Sequence, residues 1–397
     1  MNDFWLSHIP AFIGKIETPC YVSSFAPVER ALSKLEFLNQ KITIRHWFSL
    51  KTNPNKRILL EWKELGHGVE VVSEFEFQAT LDAGFEPGRI LLNGPAKHHW
   101  LPRHAIDGIN VHIDSWSEFQ GLKEAILPRG WKLGLRLHMD NELDPDEPEH
   151  HSQFGLEKEE FKAVLEECRA LGIPVRGLHF HLRTNVPQPG LYLESIQEAL
   201  AVCAQSGLEP EYLDMGGGLP AQDGEHPQED FDFDYSALEA VVEHLRQHAP
   251  WVRELWMENG RFMLASASIL AIKVLDIKFK RGMRYLICDS GRTNNALVSD
   301  WETHDFATFP PREHKNMIPT TVCGNTCMSF DRLFRAELPA DVRVGDRIIW
   351  FNAGAYHIPW ETRFSGGLCN VYHLAEDGTI ELTRKKESFK DWWDDWK

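Results

Sequence analysis

Between residues 44 and 261 the sequence repeats one alternation: a short apolar run ending on polar or small residues, then a stretch of helical periodicity. The runs are IRHWFSLK, GVEVVS, RILLNG, GINVHIDS, KLGLRLHM, RGLHFHL, EYLDMGGG and ELWMENGR. Strands alternating with helices build a parallel sheet. Eight such units suit a (β/α)8 barrel, whose chemistry sits at the C-terminal ends of its strands. The intervening helices have start signals. Ser73 with Glu76 and Ser115 with Glu118 are S-x-x-E capping boxes, and Ile58, Leu59, Trp62 and Leu65 place an apolar stripe on the first helix. Beyond about residue 265 the pattern changes. ILAIKVLDIKF, MRYLICDS, DRIIWFNAG and NVYHLAEDGTIEL read as strands with no long helix between them. The expectation is an α/β chain with a (β/α)8 TIM barrel over residues 26–265 and a C-terminal β-domain over 266–397. The ETPCYVSS run within residues 1–25 adds a strand to that β-domain.

Composition removes several function classes. A net charge of −17 disfavours a nucleic-acid surface or an anionic membrane as partner. The longest apolar-rich stretch, FMLASASILAIKVL, is interrupted by Lys273 and is too short to span a bilayer. MNDFWLSHIP lacks the basic head and apolar core of a signal peptide. Seven scattered cysteines, an odd number, fit reduced thiols in the cytoplasm. Two acidic loops, DNELDPDEPEHH and QDGEHPQEDFDFD, read as solvated excursions without the EF-hand spacing for calcium.

Chemistry-bearing residues gather at the strand ends. Lys51 closes the first barrel strand, where it is either a side chain snorkelling from a packed wall or an amine that bonds a carbonyl. Gly216, Gly217 and Gly218 close the seventh strand, as a tight turn or as a place where backbone N–H groups approach a phosphate. Glu258 ends the eighth, and a buried glutamate is costly unless a charged or protonated group meets it. A pyridinium N–H would do so, and Arg261 is placed to meet a phosphate. His179 and His181 share one side of the sixth strand, either hydrogen-bonded in the interior or with one imidazole flat against a ring. Lysine, glycines, glutamate, arginine and histidine on one rim describe a pyridoxal-phosphate site.

The sequence resembles the alanine-racemase-fold PLP-dependent decarboxylases, the group of ornithine and diaminopimelate decarboxylases. The matching pieces run nearly end to end: TPCYV, FSLKTNPN, GVEVVSEFE, NGPAK, HIDS, GLRL, SQFGL, GLHFHL, LDMGGG, ENGR, CGNTCMSFD and NAGAY. The resemblance implies a PLP-binding barrel, an alanine-racemase-like β-domain and a head-to-tail homodimer with shared active sites. By that likeness Lys51 is the lysine that bonds the cofactor aldehyde, His181 the histidine stacked on the ring, and Glu258 the carboxylate paired with the ring nitrogen. Gly216, Gly217, Gly218, Gly260, Arg261 and Tyr356 correspond to the phosphate cradle. Glu70 and Arg136 sit where the family has an acid near the lysine and a strand-five arginine. Cys327 corresponds to the cysteine donated across the dimer that reprotonates the decarboxylated carbon; read alone, it is equally a small buried hydrophobe. A zinc site on Cys323 and Cys327 lacks two further ligands at suitable spacing. The related racemases carry an arginine in place of Glu258, so this chain is expected to decarboxylate, with racemisation or epimerisation as the rival.

Departures from the family bear on the substrate. The acid that usually follows the cysteine is Met328 here, with Asp331 further along. After the stacking histidine, Arg183 and Thr184 replace a small Gly-Ser pair; Thr184 can still bond a phosphate, and Arg183 adds a cation. AGAYHIPWETRFSGG brings Trp360 and Arg363 to a pocket loop. Loss of an anion and gain of cations point to an amino acid bearing extra carboxylates. The expected substrate is a citrate-conjugated diamino acid of siderophore assembly, as in citryl-diaminopropionate decarboxylase, with diaminopimelate, ornithine or lysine as alternatives.

Overall fold

The computed structural model describes residues 2–142, 152–221, 233–296, 302, 304–312 and 316–396. Most of both acidic loops lies outside the described residues. Strand β1 (Cys20–Ser23) precedes the eight strands of a closed parallel barrel. These are β2 (Thr43–Ser49), β3 (Gly68–Val71), β4 (Ile90–Leu92), β5 (Asn110–Ile113), β6 (Lys132–Arg136), β7 (Val175–His179), β8 (Tyr212–Asp214) and β9 (Glu254–Met257). β9 pairs back onto β2 through Thr43 with Glu254 and His46 with Met257, which closes the ring. Six strands lie within the runs picked out in the sequence, and β2 and β7 each begin one residue before theirs.

The helices pack outside the barrel, and the largest hydrophobic core lies between them and the strands, with Trp62, Phe77, Phe119 and Phe161 fully buried. Both capping serines act as expected: Ser73 accepts from the Glu76 amide at 3.2 Å and Ser115 from the Glu118 amide at 3.2 Å. The reciprocal half differs. Glu76 accepts instead from the Val72 amide and Glu118 from the Asp114 amide, one residue before the cap. Glu118 is drawn there by Lys97, whose ammonium meets it at 2.6 Å with both side chains fully buried.

The barrel interior is layered. Trp47, Leu91, Tyr212 and Trp256 form an apolar floor, with Tyr212 and Trp256 stacked at 3.5 Å between ring centroids. Glycines make room for it. A Cβ on Gly177 would lie 2.0 Å from the Tyr212 ring, and one on Gly68 would lie 2.3 Å from Trp47. Two residues further along the inward-facing rows, the layer above is polar: Ser49, Glu70, Asn93, His112, Arg136, His179, Asp214 and Glu258, all buried. Barrel cores are ordinarily filled by branched apolar side chains, so this polar layer is reserved for something other than stability.

The second part of the chain is a nine-stranded sheet. Its strands are β1, β10 (Ser268–Lys280), β11 (Met283–Cys288), β12 (Phe306–Phe309), β13 (Met317–Cys323), β14 (Arg332–Pro339), β15 (Arg347–Trp350), β16 (Asn370–Leu374) and β17 (Ile380–Arg384). β1 lies between β10, to which it is antiparallel, and β16, to which it is parallel. β12, β13 and β14 do not stand out in the sequence: β13 carries Pro319, and β14 mixes Arg332, Arg335 and Glu337 into its length. Among the described residues no helix is long and apolar enough to cross a membrane.

Lys97→Met strands the Glu118 carboxylate in the core and is expected to cost about 3–5 kcal/mol of stability. Adding Glu118→Gln, which removes the stranded charge and keeps an acceptor for one of the two backbone amides that Glu118 serves, should recover part of that loss in urea unfolding.

Candidate active site

β2 ends at Ser49 and the chain turns through a short 3-10 segment, Leu50–Thr52, that carries Lys51 over the barrel mouth. Its ammonium meets both oxygens of the Glu70 carboxylate, at 2.9 and 2.8 Å. Glu70 projects from β3 with no exposed surface and also accepts the Ser49 hydroxyl at 2.6 Å. Burial works to lower the Lys51 pKa, but Glu70, then Glu258 and Tyr356, outweigh it and hold the amine above the ordinary lysine range.

Lys51 opens onto a cavity of about 350 Å³, within the range of small-ligand sites. Of the residues expected at the site, Lys51, Glu70, Arg136, His181, Thr184, Gly217, Gly218, Glu258, Gly260, Arg261 and Tyr356 line it. Gly216 sits just outside, setting the turn with φ of +65°. Side chains would destroy this turn: a Cβ on Gly217 would lie 2.7 Å from the Glu258 carbonyl oxygen, and one on Gly218 would lie 2.5 Å from that of Arg183. The Gly217 amide donates to His181 Nδ1 at 3.1 Å. Burial lowers the pKa of His179 and His181 well below the usual histidine range, so both rings are neutral.

Glu258 follows β9 and accepts the Asn93 amide. Burial first, then the charges of Asp214 and Glu70, push its pKa well above the carboxylate range, against the pull of Lys51. Among the described residues neither lysine nor arginine pairs with it. Arg261 pairs with Glu302 and lies over the Tyr356 ring at 5.0 Å, while its buried Nε has no partner. Arg136 is held by Glu142 at 2.8 Å and sits over Phe154.

Several of the expected residues stand away from this cavity in the single chain. Arg183 is not in the cavity wall: its Nε donates to the neighbouring Thr184 carbonyl, turning the side chain along its own loop. Asp331 is buried and spent on its own loop, accepting from the Arg292 and Thr326 amides and the Thr326 hydroxyl. Arg363 pairs with Glu387 and Asp395, and Trp360 stays largely exposed. Cys327 and Met328 lie on the same loop as Asp331, outside the cavity of their own chain. Cys327 is exposed, unlike the other six cysteines, so it is not a buried hydrophobe. Ser49, Asn93, Phe154 and Asn185 line the site without having been anticipated. Asn93 had a signal, standing next to the glycine that closes β4 in RILLNG.

The donor set fits pyridoxal phosphate. A lysine amine faces the cavity for the aldehyde, a buried carboxylate that among the described residues pairs with neither lysine nor arginine for a protonated ring nitrogen, and an under-satisfied arginine beside a glycine cradle for the phosphate. Comparison with known proteins agrees. Residues 27–265 match the family described as "Pyridoxal-dependent decarboxylase, pyridoxal binding domain". The chain is 25% identical to diaminopimelate decarboxylase of Methanothermobacter thermautotrophicus, over 94% of this chain and 90% of that one. It is 24% identical to lysine/ornithine decarboxylase of Selenomonas ruminantium, over 92% of each. Its fold is shared with Helicobacter pylori diaminopimelate decarboxylase crystallised with L-lysine, at a TM-score of 0.81 and 22% identity, covering 97% of this chain and 98% of that one.

Glu70→Gln removes the largest influence raising the Lys51 pKa. The unprotonated amine is the nucleophile, so the rate at which apoenzyme takes up pyridoxal phosphate, followed by its visible absorption, should begin to rise at lower pH than in the parent.

Proposed function

The chain belongs to the pyridoxal-dependent decarboxylases, and from that premise we propose that it removes carbon dioxide from a diamino acid of the diaminopimelate type. That it is a PLP-dependent amino acid carboxy-lyase follows from the family; the substrate and the residue roles are our reading. The bound cofactor supplies an electrophilic aldehyde and a ring that withdraws electrons from Cα. Lys51 is the attachment point, oriented by Glu70 and Ser49. Gly217, Gly218, Gly260, Arg261 and Tyr356 would hold the phosphate, Arg261 supplying its charge. His181, held by the Gly217 amide, would cover one face of the ring. Glu258 would pair as a carboxylate with the protonated ring nitrogen, whose charge offsets the burial that otherwise raises the Glu258 pKa.

The proton returned to Cα is assigned, on the family likeness, to Cys327 rather than to the Lys51 ammonium that lines the cavity. Cys327 is exposed on a loop beside other exposed surface. Phe330, Trp360 and Phe364 are large apolar side chains open to solvent. The Gly291–Asn294 turn links these segments, since Arg292 lies over the Phe330 ring and the Thr293 carbonyl accepts from the Thr362 amide. A head-to-tail homodimer that buries this face and brings Cys327 of the partner subunit to the cavity accounts for both facts.

The observation that carries the substrate assignment is Met328. A thioether cannot pair with a lone distal ammonium, so ornithine and lysine rank below diaminopimelate, whose far end also carries a carboxylate. Curated relatives of that name across nearly the full chain support the same ranking. A citrate-conjugated substrate loses its footing, because Arg183 and Arg363 are turned away from the cavity or already paired.

Carbon-dioxide release should be fastest per unit kcat/KM with diaminopimelate, slower with lysine and ornithine, and slowest with a citrate conjugate of diaminopropionate; equal rates on ornithine would reverse the assignment. Met328→Glu should raise kcat/KM for lysine about tenfold, the worth of one charge-assisted hydrogen bond of about 1.5 kcal/mol. Cys327→Ala should leave cofactor absorption in place while slowing or misdirecting reprotonation, read from product analysis in heavy water.

A further inference from the structure

Three buried residues behind Glu258 form a continuous hydrogen-bonded line from the floor of the barrel to its mouth. Tyr212 begins β8, His112 lies in β5, and Asn93 directly follows β4. The Tyr212 hydroxyl and His112 Nε2 are 2.9 Å apart, His112 Nδ1 and Asn93 Oδ1 are 2.9 Å apart, and Asn93 Nδ2 donates to Glu258 Oε1. We propose that His112 is a positioning residue for the cofactor's ring nitrogen: it fixes the direction of this line so that Glu258 receives a hydrogen bond and is held as the charged acceptor. The inference deepens the proposed function and rests on the pairing of Glu258 with the ring nitrogen.

The direction follows from valence. An ionised carboxylate only accepts, so Asn93 must donate through Nδ2 and accept through Oδ1. His112 then donates from Nδ1. Burial keeps its ring neutral, with a single N–H, so Nε2 accepts from the Tyr212 hydroxyl. The opposite direction would leave the Tyr212 hydroxyl hydrogen without an acceptor, since among the described residues His112 is its one hydrogen-bond partner, and an unsatisfied buried O–H is unfavourable. A protonated Glu258 still accepts from Asn93 through its carbonyl oxygen, but the hydrogen bond to a carboxylate is the stronger one, so the line biases Glu258 toward its charged form. Asp214 and Glu70 oppose this bias and Lys51 assists it, while His179 stands 4.0 Å from Glu258 and Arg136 lines the same cavity.

The space for the line is built in. A Cβ on Gly134 would fall 2.5 Å from the His112 ring and 2.6 Å from the Tyr212 hydroxyl. His112 also stacks on His179 at 4.8 Å, which fixes its plane.

Holoenzyme reconstituted with pyridoxal phosphate carrying 15N at the ring nitrogen tests this through the nitrogen's chemical shift across pH. The parent should show the protonated-type shift. In His112→Phe the midpoint of ring protonation should fall by about one unit, a tenfold loss of proton affinity. Tyr212→Phe, which removes one hydroxyl and keeps the stack on Trp256, should move it the same way by less. His112→Asn, which retains a donor toward Asn93, should hold the parental shift. Thermal melting separates these effects from loss of fold, and if His112→Phe does not fold, Tyr212→Phe decides. Parental shifts in the folded variants would overturn the role of His112; if Glu258→Gln still moves the shift, the pairing of Glu258 survives. An unprotonated nitrogen in the parent would overturn both.

Discussion

Glu258 is buried where an uncompensated carboxylate costs on the order of several kcal/mol, and among the described residues neither lysine nor arginine pairs with it. Much of the barrel mouth follows from how that charge is managed. Asp214 and Glu70, both without exposed surface, add to the penalty and push Glu258 toward protonation. The Asn93 amide and the ammonium of Lys51 act the other way. The raising influences prevail and hold the Glu258 pKa well above the carboxylate range, so a cationic ring N–H arriving beside it relieves a cost already present. Binding and electronic activation thus draw on the same buried charge.

The floor beneath makes this arrangement possible. Trp47, Tyr212 and Trp256 plug the barrel from below and exclude water from the polar layer, which keeps the local electrostatics strong. Large aromatics fit only because Gly68, Gly134 and Gly177 lack side chains. Stability therefore comes mainly from the shell between strands and helices, and the interior is free to carry charge.

Periodicity revealed the barrel because each strand is short, apolar and bounded by turn-forming residues, as in RILLNG and EYLDMGGG. It did not reveal β12 to β14, where Pro319 and alternating charges on an outer strand hide the pattern. Lys51, Glu258 and Gly217 were legible because a lysine, a glutamate and a glycine run at strand ends have few structural uses. Asn93 and His112 were not, because an asparagine in a turn and a histidine in a strand are ordinary, and only the three-dimensional line to Glu258 distinguishes them. Arg183, Asp331 and Arg363 are a different case. Their charges read as pocket-facing, but each finds a nearer partner within a few residues or on an adjacent loop, and sequence carries no record of such local satisfaction.

One loop of the sheet, besides Glu302 on Arg261, reaches the barrel's mouth. Asn352 and Tyr356 both take positive φ, at +56° and +67°, bending the segment between them sharply against the barrel. The Tyr356 amide donates to the Thr52 carbonyl at 2.8 Å, and Asn53 Nδ2 donates to the Gly354 carbonyl at 2.9 Å. A Cβ on Gly354 would lie 1.9 Å from the Leu264 carbonyl oxygen, so only glycine permits this approach. These bonds clamp the two residues immediately after Lys51. A single 3-10 turn at the end of a strand is too short to hold a reactive amine still through its own hydrogen bonds. The sheet therefore supplies the rigidity that β2 lacks, placing the Tyr356 ring over Arg261 with the same loop, and the amine and the phosphate cradle are positioned as one unit.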